Sequence, residues 1–423
     1  MSGETMTPDE QTQPDDVADE TPDETPEASL DEAPSESSSD SEVFAVDSGG
    51  EVTEFEIVET EVFAVDAAGQ VVDIVEVTET FSISDATWRM PAETEPQERI
   101  WMAFPPAGGY LGESADDIDE ARTAWSEVAH AILRFEPVSM VVDPHDLGAA
   151  RRYLSTEIDI VTAPLDDAWM RDIGPTFVRD ESGRLGAVTW RFNGWGGQEW
   201  ARWGNDSVIG ALVAARTGAT RVASSLVNEG GGIHVDGLGT VLLTQTVQLD
   251  PGRNPDRTKE EIESELARTL GATNPIWLRR GLYRDSKRFG TRGHVDIVAT
   301  IPSPGRLLVH SQQDASHPDR KITAEILKTL RASRTPDGEE WDIIELPAPQ
   351  VLRDDEDFVD YSYVNHLVLD EAVIACTFDD PNDEVALNIL AEAYEGREIV
   401  GVDARAIFAR GGGIHCITQQ QPA

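Results

Sequence analysis

Residues 229–234 read EGGGIH and residues 410–415 read RGGGIH, the same GGGIH core repeated 181 positions apart. A third fragment, GHVD at Gly293–Asp296, shares its HVD with His234–Asp236, which continues the first copy. Glycine-rich runs leading into short strands let backbones approach closely. Recurrence of such a unit along one chain marks a pseudo-symmetric array. The repeat predicts one central site to which several related units each contribute a side chain. Around these fragments helical periodicity covers Asp119–Phe135, Asn205–Arg216 and Asp383–Glu395. Thr258-Lys-Glu-Glu261 is a capping box opening a further helix that closes at Gly271. Short β-rich runs lie between, at Ile158–Thr162, Ala187–Phe192, Thr240–Thr246, His294–Ile301, Leu307–His310, Ile343–Leu346, Leu367–Leu369, Val373–Thr377 and Ile399–Val402. Helices and strands alternate, and no Pro- or Ser-rich linker divides them. That predicts one α/β body over residues 85–423.

The 423 residues carry 80 acids against 33 bases, a formal charge of −47. Residues 1–84 hold 25 of the acids and neither Lys nor Arg, which leaves the body at −22. Both parts are negative, so nucleic acid and anionic membrane surfaces are excluded as partners, and a small cation fits better. No uncharged stretch is longer than Gly237–Leu249, which is too short to span a bilayer. The N-terminus shows no basic-then-apolar secretory signal. With two cysteines, Cys376 and Cys416, there is no disulfide framework, and the reducing cytoplasm is the expected compartment.

Residues 1–41 have almost nothing to bury and are expected to be disordered. From Glu42 the composition changes, with EVFAVD at Glu42–Asp47 and again at Glu61–Asp66. Between and after these copies VTEFEIVET and VVDIVEVTET alternate apolar and acidic residues, the pattern of weak strands. A leader that docks to another protein is one reading of 1–84; a solvated, solubilising tail is the plainer and preferred one.

Several residues carry potential chemistry. Cys416 lies beside glycines with His residues at hand, as a thiolate nucleophile would, yet free Cys is also a common core residue. Cys376, inside the apolar run Val373–Phe378, reads as core. His294 and Asp296 are two apart on an expected strand and would share a face, giving a general base beside a cation acceptor. His234 and Asp236 repeat that spacing, and spacing alone does not choose between the pairs. Trp169-Met-Arg-Asp172 before Gly174-Pro175 offers an aromatic face and a carboxylate to a flat cation. The plainer alternative there is an internal Arg171–Asp172 pair. Asn193-Gly-Trp-Gly-Gly197 reads as a lining loop. No GxGxxG, Walker A, GxSxG or CxxC motif occurs.

Met90-Pro-Ala-Glu93, Trp169-Met-Arg-Asp172, Asn193–Gly197, Glu229–Gly237, Arg253-Asn-Pro255, Gly293–Asp296 and Gly411–Cys416 with Thr418-Gln-Gln420 run in one order through the body. Together they resemble the agmatine deiminase family of the guanidine-modifying superfamily, which is related to bacterial peptidyl-arginine deiminase. The leader has no counterpart there. The resemblance implies a five-bladed α/β propeller of pseudo-repeated ββαβ units around a central site. It implies Cys416 as nucleophile, His294 and Glu229 as the other catalytic residues, and Asp172, Asp296 and Trp169 as substrate-binding residues. It makes His234 and Asp236 structural. No metal and no organic cofactor is expected. The implied reaction hydrolyses a small cationic guanidino substrate, agmatine first, to a ureido product and ammonia. The alternatives are another guanidino compound, peptidyl or free arginine, and amidino transfer. From other classes come a Cys–His peptidase and a non-catalytic scaffold acting through the leader. Many enzymes of this type form homodimers. Arg292 and Ile297 depart from the family pattern beside GHVD, and Arg292 is expected either to repel an amine tail or to meet a substrate carboxylate.

Overall fold

The computed structural model describes residues 87–423 except Gly109 and Glu113, together with the backbone of four strands between residues 42 and 78. In the body five sheets repeat one plan: an antiparallel pair, a helix, then a strand parallel to the second of the pair. Thr176–Asp180 and Leu185–Arg191 are followed by helix Ile209–Thr217 and strand Thr220–Val227. Ile233–Val235 and Thr240–Thr244 lead through helix Lys259–Leu270 to Asn274–Leu278. Ala299–Ser303 and Arg306–Ser311 lead through helix Asp319–Ala332 to Asp342–Pro347. Leu367–Val368 and Ala372–Thr377 lead through helix Asp383–Ala393 to Glu398–Asp403. The remaining unit takes its first strand from the far end of the chain. Thr418–Pro422 pairs antiparallel with Gln97–Ala103, which then runs parallel to Val138–Val142 across helix Ala115–Leu133.

Local chemistry sets these boundaries. Helix Lys259–Leu270 starts where Thr258 and Glu261 satisfy each other's backbone N–H groups, and stops at Gly271 in the left-handed region, φ +69°. A side chain there would strain the backbone and press on the carbonyl of Trp88. Val138–Val142 and Thr240–Thr244 are buried throughout, whereas the outer parallel strand Glu398–Asp403 is only partly covered.

Three expectations need correction. The helix expected from Asp119 begins at Ala115, because Ser114 and Asp117 form a second capping box that the periodicity did not reveal. The helix expected from Asn205 begins at Ile209, after a 3-10 turn at Asp206–Val208. The strand expected over His294–Ile301 begins only at Ala299. Residues 294–298 form a turn, closed by Val298 and Ala299 N–H donating to the Val295 carbonyl. His294 and Asp296 therefore do not share a strand face.

In the leader the alternating segments do pair, Glu42–Val46 with Val52–Glu56 and Glu59–Val65 with Val71–Thr78, both antiparallel. The expectation of disorder over 1–41 lies outside the described residues. Among the described residues no helix is long and apolar enough to cross a membrane.

Candidate active site

Each of the five units contributes from the same place, the lead-in to its first strand. Asp172 precedes Thr176, Glu229 precedes Ile233, His294 and Asp296 precede Ala299, Asn365 precedes Leu367, and Cys416 precedes Thr418. The GGGIH repeat marks two of these lead-ins. Its glycines are needed where backbones crowd the site. A Cβ on Gly231 would overlap His294 Nδ1, and one on Gly412 would stand 2.8 Å from the Trp169 ring and 3.0 Å from Cys416 Sγ.

Cys416 Sγ lies 3.5 Å from Asp296 Oδ2 and 3.3 Å from Asn365 Nδ2. Burial pushes the thiol well above its usual range, and the carboxylates of Asp296 and Asp172 push it further the same way. Both effects favour the neutral thiol. A cation seated against both carboxylates cancels part of that push and favours the thiolate.

His294 Nε2 is 3.2 Å from Glu229 Oε2, while Nδ1 has no hydrogen-bond partner and stands 3.9 Å from Asp172 Oδ1. Burial opposes charge on this imidazole, but Asp172, Glu229 and Asp296 together outweigh it and hold its pKa at about 9. Glu229 is itself fully buried, and the Arg253 guanidinium donates to both its oxygens at 3.0 and 3.1 Å. Arg253 is fixed in turn by Asp250 Oδ2 at 2.9 Å and the Thr291 carbonyl at 2.7 Å. Asp285 accepts from the backbone N–H groups of Thr291 and His294, and so shapes the turn that presents the histidine.

Asp172 has both oxygens engaged, one by Trp195 Nε1 at 2.8 Å and the other by Gly231 N–H at 3.1 Å. Burial raises its pKa to about 6. The lining loop thus reaches the site directly, with Trp195 at φ +55°. Arg171 does not pair with Asp172. It donates to the His415 carbonyl and to Gln420 Oε1, and lies 3.5 Å from Glu93. Trp169 donates to the Tyr110 hydroxyl and packs edge-on against Trp125.

A second imidazole underlies Asp296. His415 Nδ1 is 2.9 Å from Asp296 Oδ2, and its Nε2 is 2.8 Å from Glu93 Oε1. The other oxygen of Asp296, Oδ1, is buried without a partner. Among the described residues Glu93, His234 and His415 gather possible metal ligands within 4.8 Å of one another. The donors do not fit an ion. Ile301 N–H donates to His234 Nε2 at 2.9 Å, so the ring proton sits on Nδ1, the atom facing Glu93. Arg171 already supplies the positive charge. Asp236 accepts from Leu238 and Thr240 N–H groups and caps a turn.

The structure therefore brings together Cys416, His294, Glu229, Asp172 and Asp296, with Trp169 against the glycine beside the thiol. Their exposures run from 0 to 5 %, which keeps bulk water from this cluster. Sequence reasoning gave no role to Asn365, His415, Glu93, Arg253 or Asp285. His415 stood inside the repeat, and Asn365 falls two residues before a strand, as Cys416 does. Cys376 is core, as read, with its thiol on the Asn365 carbonyl at 3.0 Å. Arg292 lies at φ +74° with Nε 3.5 Å from Asp250 Oδ2, so its charge faces a carboxylate of this chain. Ile297 is simply buried.

The sequence profile of the Porphyromonas-type peptidyl-arginine deiminase family matches residues 89–422. A Streptomyces coelicolor protein assigned as an agmatine deiminase is 52% identical over 337 residues, covering 79% of this chain and 99% of the relative. A Marinomonas relative with the same assignment is 36% identical, covering 79% of this chain and 94% of its own. The solved structure of the agmatine deiminase of Enterococcus faecalis shares the mixed α/β fold, with a TM-score of 0.76 and 31% identity over 81% of this chain and 98% of that one.

Proposed function

The chain belongs to the Porphyromonas-type peptidyl-arginine deiminase family, and from that premise we propose that it hydrolyses agmatine to N-carbamoylputrescine and ammonia through a thiouronium bound to Cys416. The observation that carries this reading is a pair of unused valences in the cluster around the thiol. Asp296 Oδ1 and His294 Nδ1 are both buried and both unpartnered, beside a sulfur 3.5 Å from Asp296. A guanidinium is flat, cationic and poor at accepting water, and its N–H edge suits the unpartnered Asp296 Oδ1. Asp296 takes one N–H edge and Asp172 faces it with a second carboxylate, fixing the central carbon for attack.

The steps follow from the protonation states. Binding of the cation lets Cys416 release its proton to solvent, where it ends on the departing ammonia as ammonium, and the thiolate adds to the guanidinium carbon. His294, an imidazolium at neutral pH, gives its proton to one –NH2 of the tetrahedral adduct, which leaves as ammonia. The remaining thiouronium is cationic and electrophilic. His294, now neutral, takes a proton from water, and the hydroxide adds to the same carbon. The C–S bond then breaks, the hydroxyl becomes the carbonyl of the urea, and its proton goes to the departing sulfur. Imidazolium and thiol are restored. Glu229, held by Arg253, orients His294 throughout and sustains its charge.

The five ββαβ units fit a five-bladed propeller whose blades meet at this site, because each supplies a lead-in residue to it. The near-total burial of the reacting groups favours a small substrate over a peptidyl arginine. Arg292, facing Asp250, leaves the amine tail of agmatine tolerated. The test is ammonia release from agmatine, arginine, an arginyl peptide and guanidino acids, with Cys416→Ala as the blank. Agmatine turned over well above the rest is the expected result. Preference for an acid-bearing guanidine would move the substrate, and silence from a folded enzyme would overturn the assignment.

A further inference from the structure

Four of the five lead-ins carry residues already given roles in the reaction; the fifth, Tyr363–His366, carries Asn365. Its amide is fully buried and its orientation is dictated by its neighbours. His415 N–H, which can only donate, lies 3.0 Å from Asn365 Oδ1. That leaves Nδ2 facing Cys416 Sγ at 3.3 Å and the Asp296 carbonyl at 3.4 Å. Gly413 makes the arrangement feasible, since a Cβ there would overlap Oδ1. The backbone is pinned as well, with the Asn365 carbonyl accepting from Cys376 Sγ–H at 3.0 Å.

Among the described residues this amide is the only side-chain N–H within hydrogen-bond reach of the sulfur. It stands opposite a carboxylate oxygen 3.5 Å from the same atom. A thiolate in that position repels Asp296 and needs a donor to hold it. We propose that Asn365 is a further catalytic residue, whose Nδ2–H donates to the Cys416 thiolate, stabilising it and aiming it at the substrate carbon. The aiming rests on the deiminase reading above; the stabilisation does not. Burial and the two carboxylates drive the thiol upward, and the Asn365 hydrogen bond is among the few contacts pulling the other way.

The experiment measures two things on the intact chain, without and with substrate. The first is the pH midpoint of Cys416 alkylation by iodoacetamide, followed by mass on the Cys416 peptide so that Cys376 does not contribute. The second is turnover of agmatine. Asn365→Ala removes the donor. Asn365→Asp keeps the acceptor for His415 N–H and turns the donor into a carboxylate, and melting curves confirm that each variant folds. A hydrogen bond to a charged sulfur predicts an alkylation midpoint raised by about one to two pH units. It also predicts kcat reduced about 10- to 100-fold with KM changed little. Unmoved midpoints in folded variants, or kcat within about threefold of wild type, would overturn the proposal. A raised midpoint in an enzyme silent toward every guanidine would keep Asn365 as the thiolate's partner and discard the deiminase reading.

Discussion

Two histidines in this site sit in nearly the same frame. His294 lies between Glu229 and Asp172 with Arg253 behind the glutamate; His415 lies between Glu93 and Asp296 with Arg171 behind the glutamate. The difference is in the valences left over. Both nitrogens of His415 are hydrogen-bonded, at 2.9 and 2.8 Å, whereas His294 has one contact at 3.2 Å and a buried Nδ1 with no partner. A saturated imidazole can hold a carboxylate in place but has nothing to offer a substrate. An unsaturated one can exchange a proton. The carboxylates reverse the pattern: Asp172, beside His294, has both oxygens taken, and Asp296, beside His415, keeps Oδ1 free.

The sharpest test starts at the sulfur. Cys416→Ala should abolish ammonia release while leaving the melting temperature near wild type, since little volume is removed; residual turnover would place the nucleophile elsewhere. Next comes His294→Asn, expected to lower kcat about 10²- to 10⁴-fold, the usual worth of a general acid–base group. Its stability cost should be moderate, because Glu229 keeps Arg253 and Asp172 keeps Trp195 and Gly231. His415→Gln should show the opposite balance. It strips two buried carboxylates of their shared partner, at a cost of about 3–5 kcal/mol by chemical denaturation, with a smaller loss of kcat. If the two variants proved alike in both measurements, the distinction between them would fail.

The pH profile addresses the carboxylates. Asp172 is raised to about 6 by burial, so it takes up a proton as the pH falls through that value. One of the two charges facing the guanidinium is then lost, and kcat/KM for agmatine should drop below about pH 6. In Asp172→Asn the remaining activity should lose that acid limb. The smallest effect is expected from Arg292→Ala, a change in KM within about threefold, since its exposed charge is worth little to a distant tail. A large gain in agmatine affinity would revive the view that Arg292 repels the amine.

Much of this was legible from the GGGIH repeat and the GHVD fragment, because glycine beside a crowded centre leaves a trace that a single sequence preserves. The helix at Lys259–Leu270 was legible for a similar reason, its cap being spelled out at Thr258 and Glu261. What failed was period. His294–Val298 is rich in β-formers yet turns, because Asp285, nine residues earlier, binds the His294 N–H and bends the chain. No local pattern announces a hydrogen bond across a loop. Asn365 stayed hidden because its lead-in lacks the glycine run, and an asparagine before a short strand resembles any turn residue. Glu93 stood in a quoted motif without a role, since its partner His415 is 322 residues away.

The strand Thr418–Pro422 starts two residues after Cys416 and pairs with Gln97–Ala103, so that Trp101 donates to Gln421 across 320 residues of sequence. During synthesis the chain leaves the ribosome from its N-terminus, and early segments can begin to fold while later ones are unmade. The sulfur and the strand that fixes it emerge after Asp172, Glu229, His294 and Asp296. A nascent chain that already holds Asp172, Glu229 and His294 is, on the proposed mechanism, still inert. On the proposed mechanism turnover waits until Thr418–Pro422 zips onto Gln97–Ala103, which makes activity in a translation reaction a clock for closure of that pair.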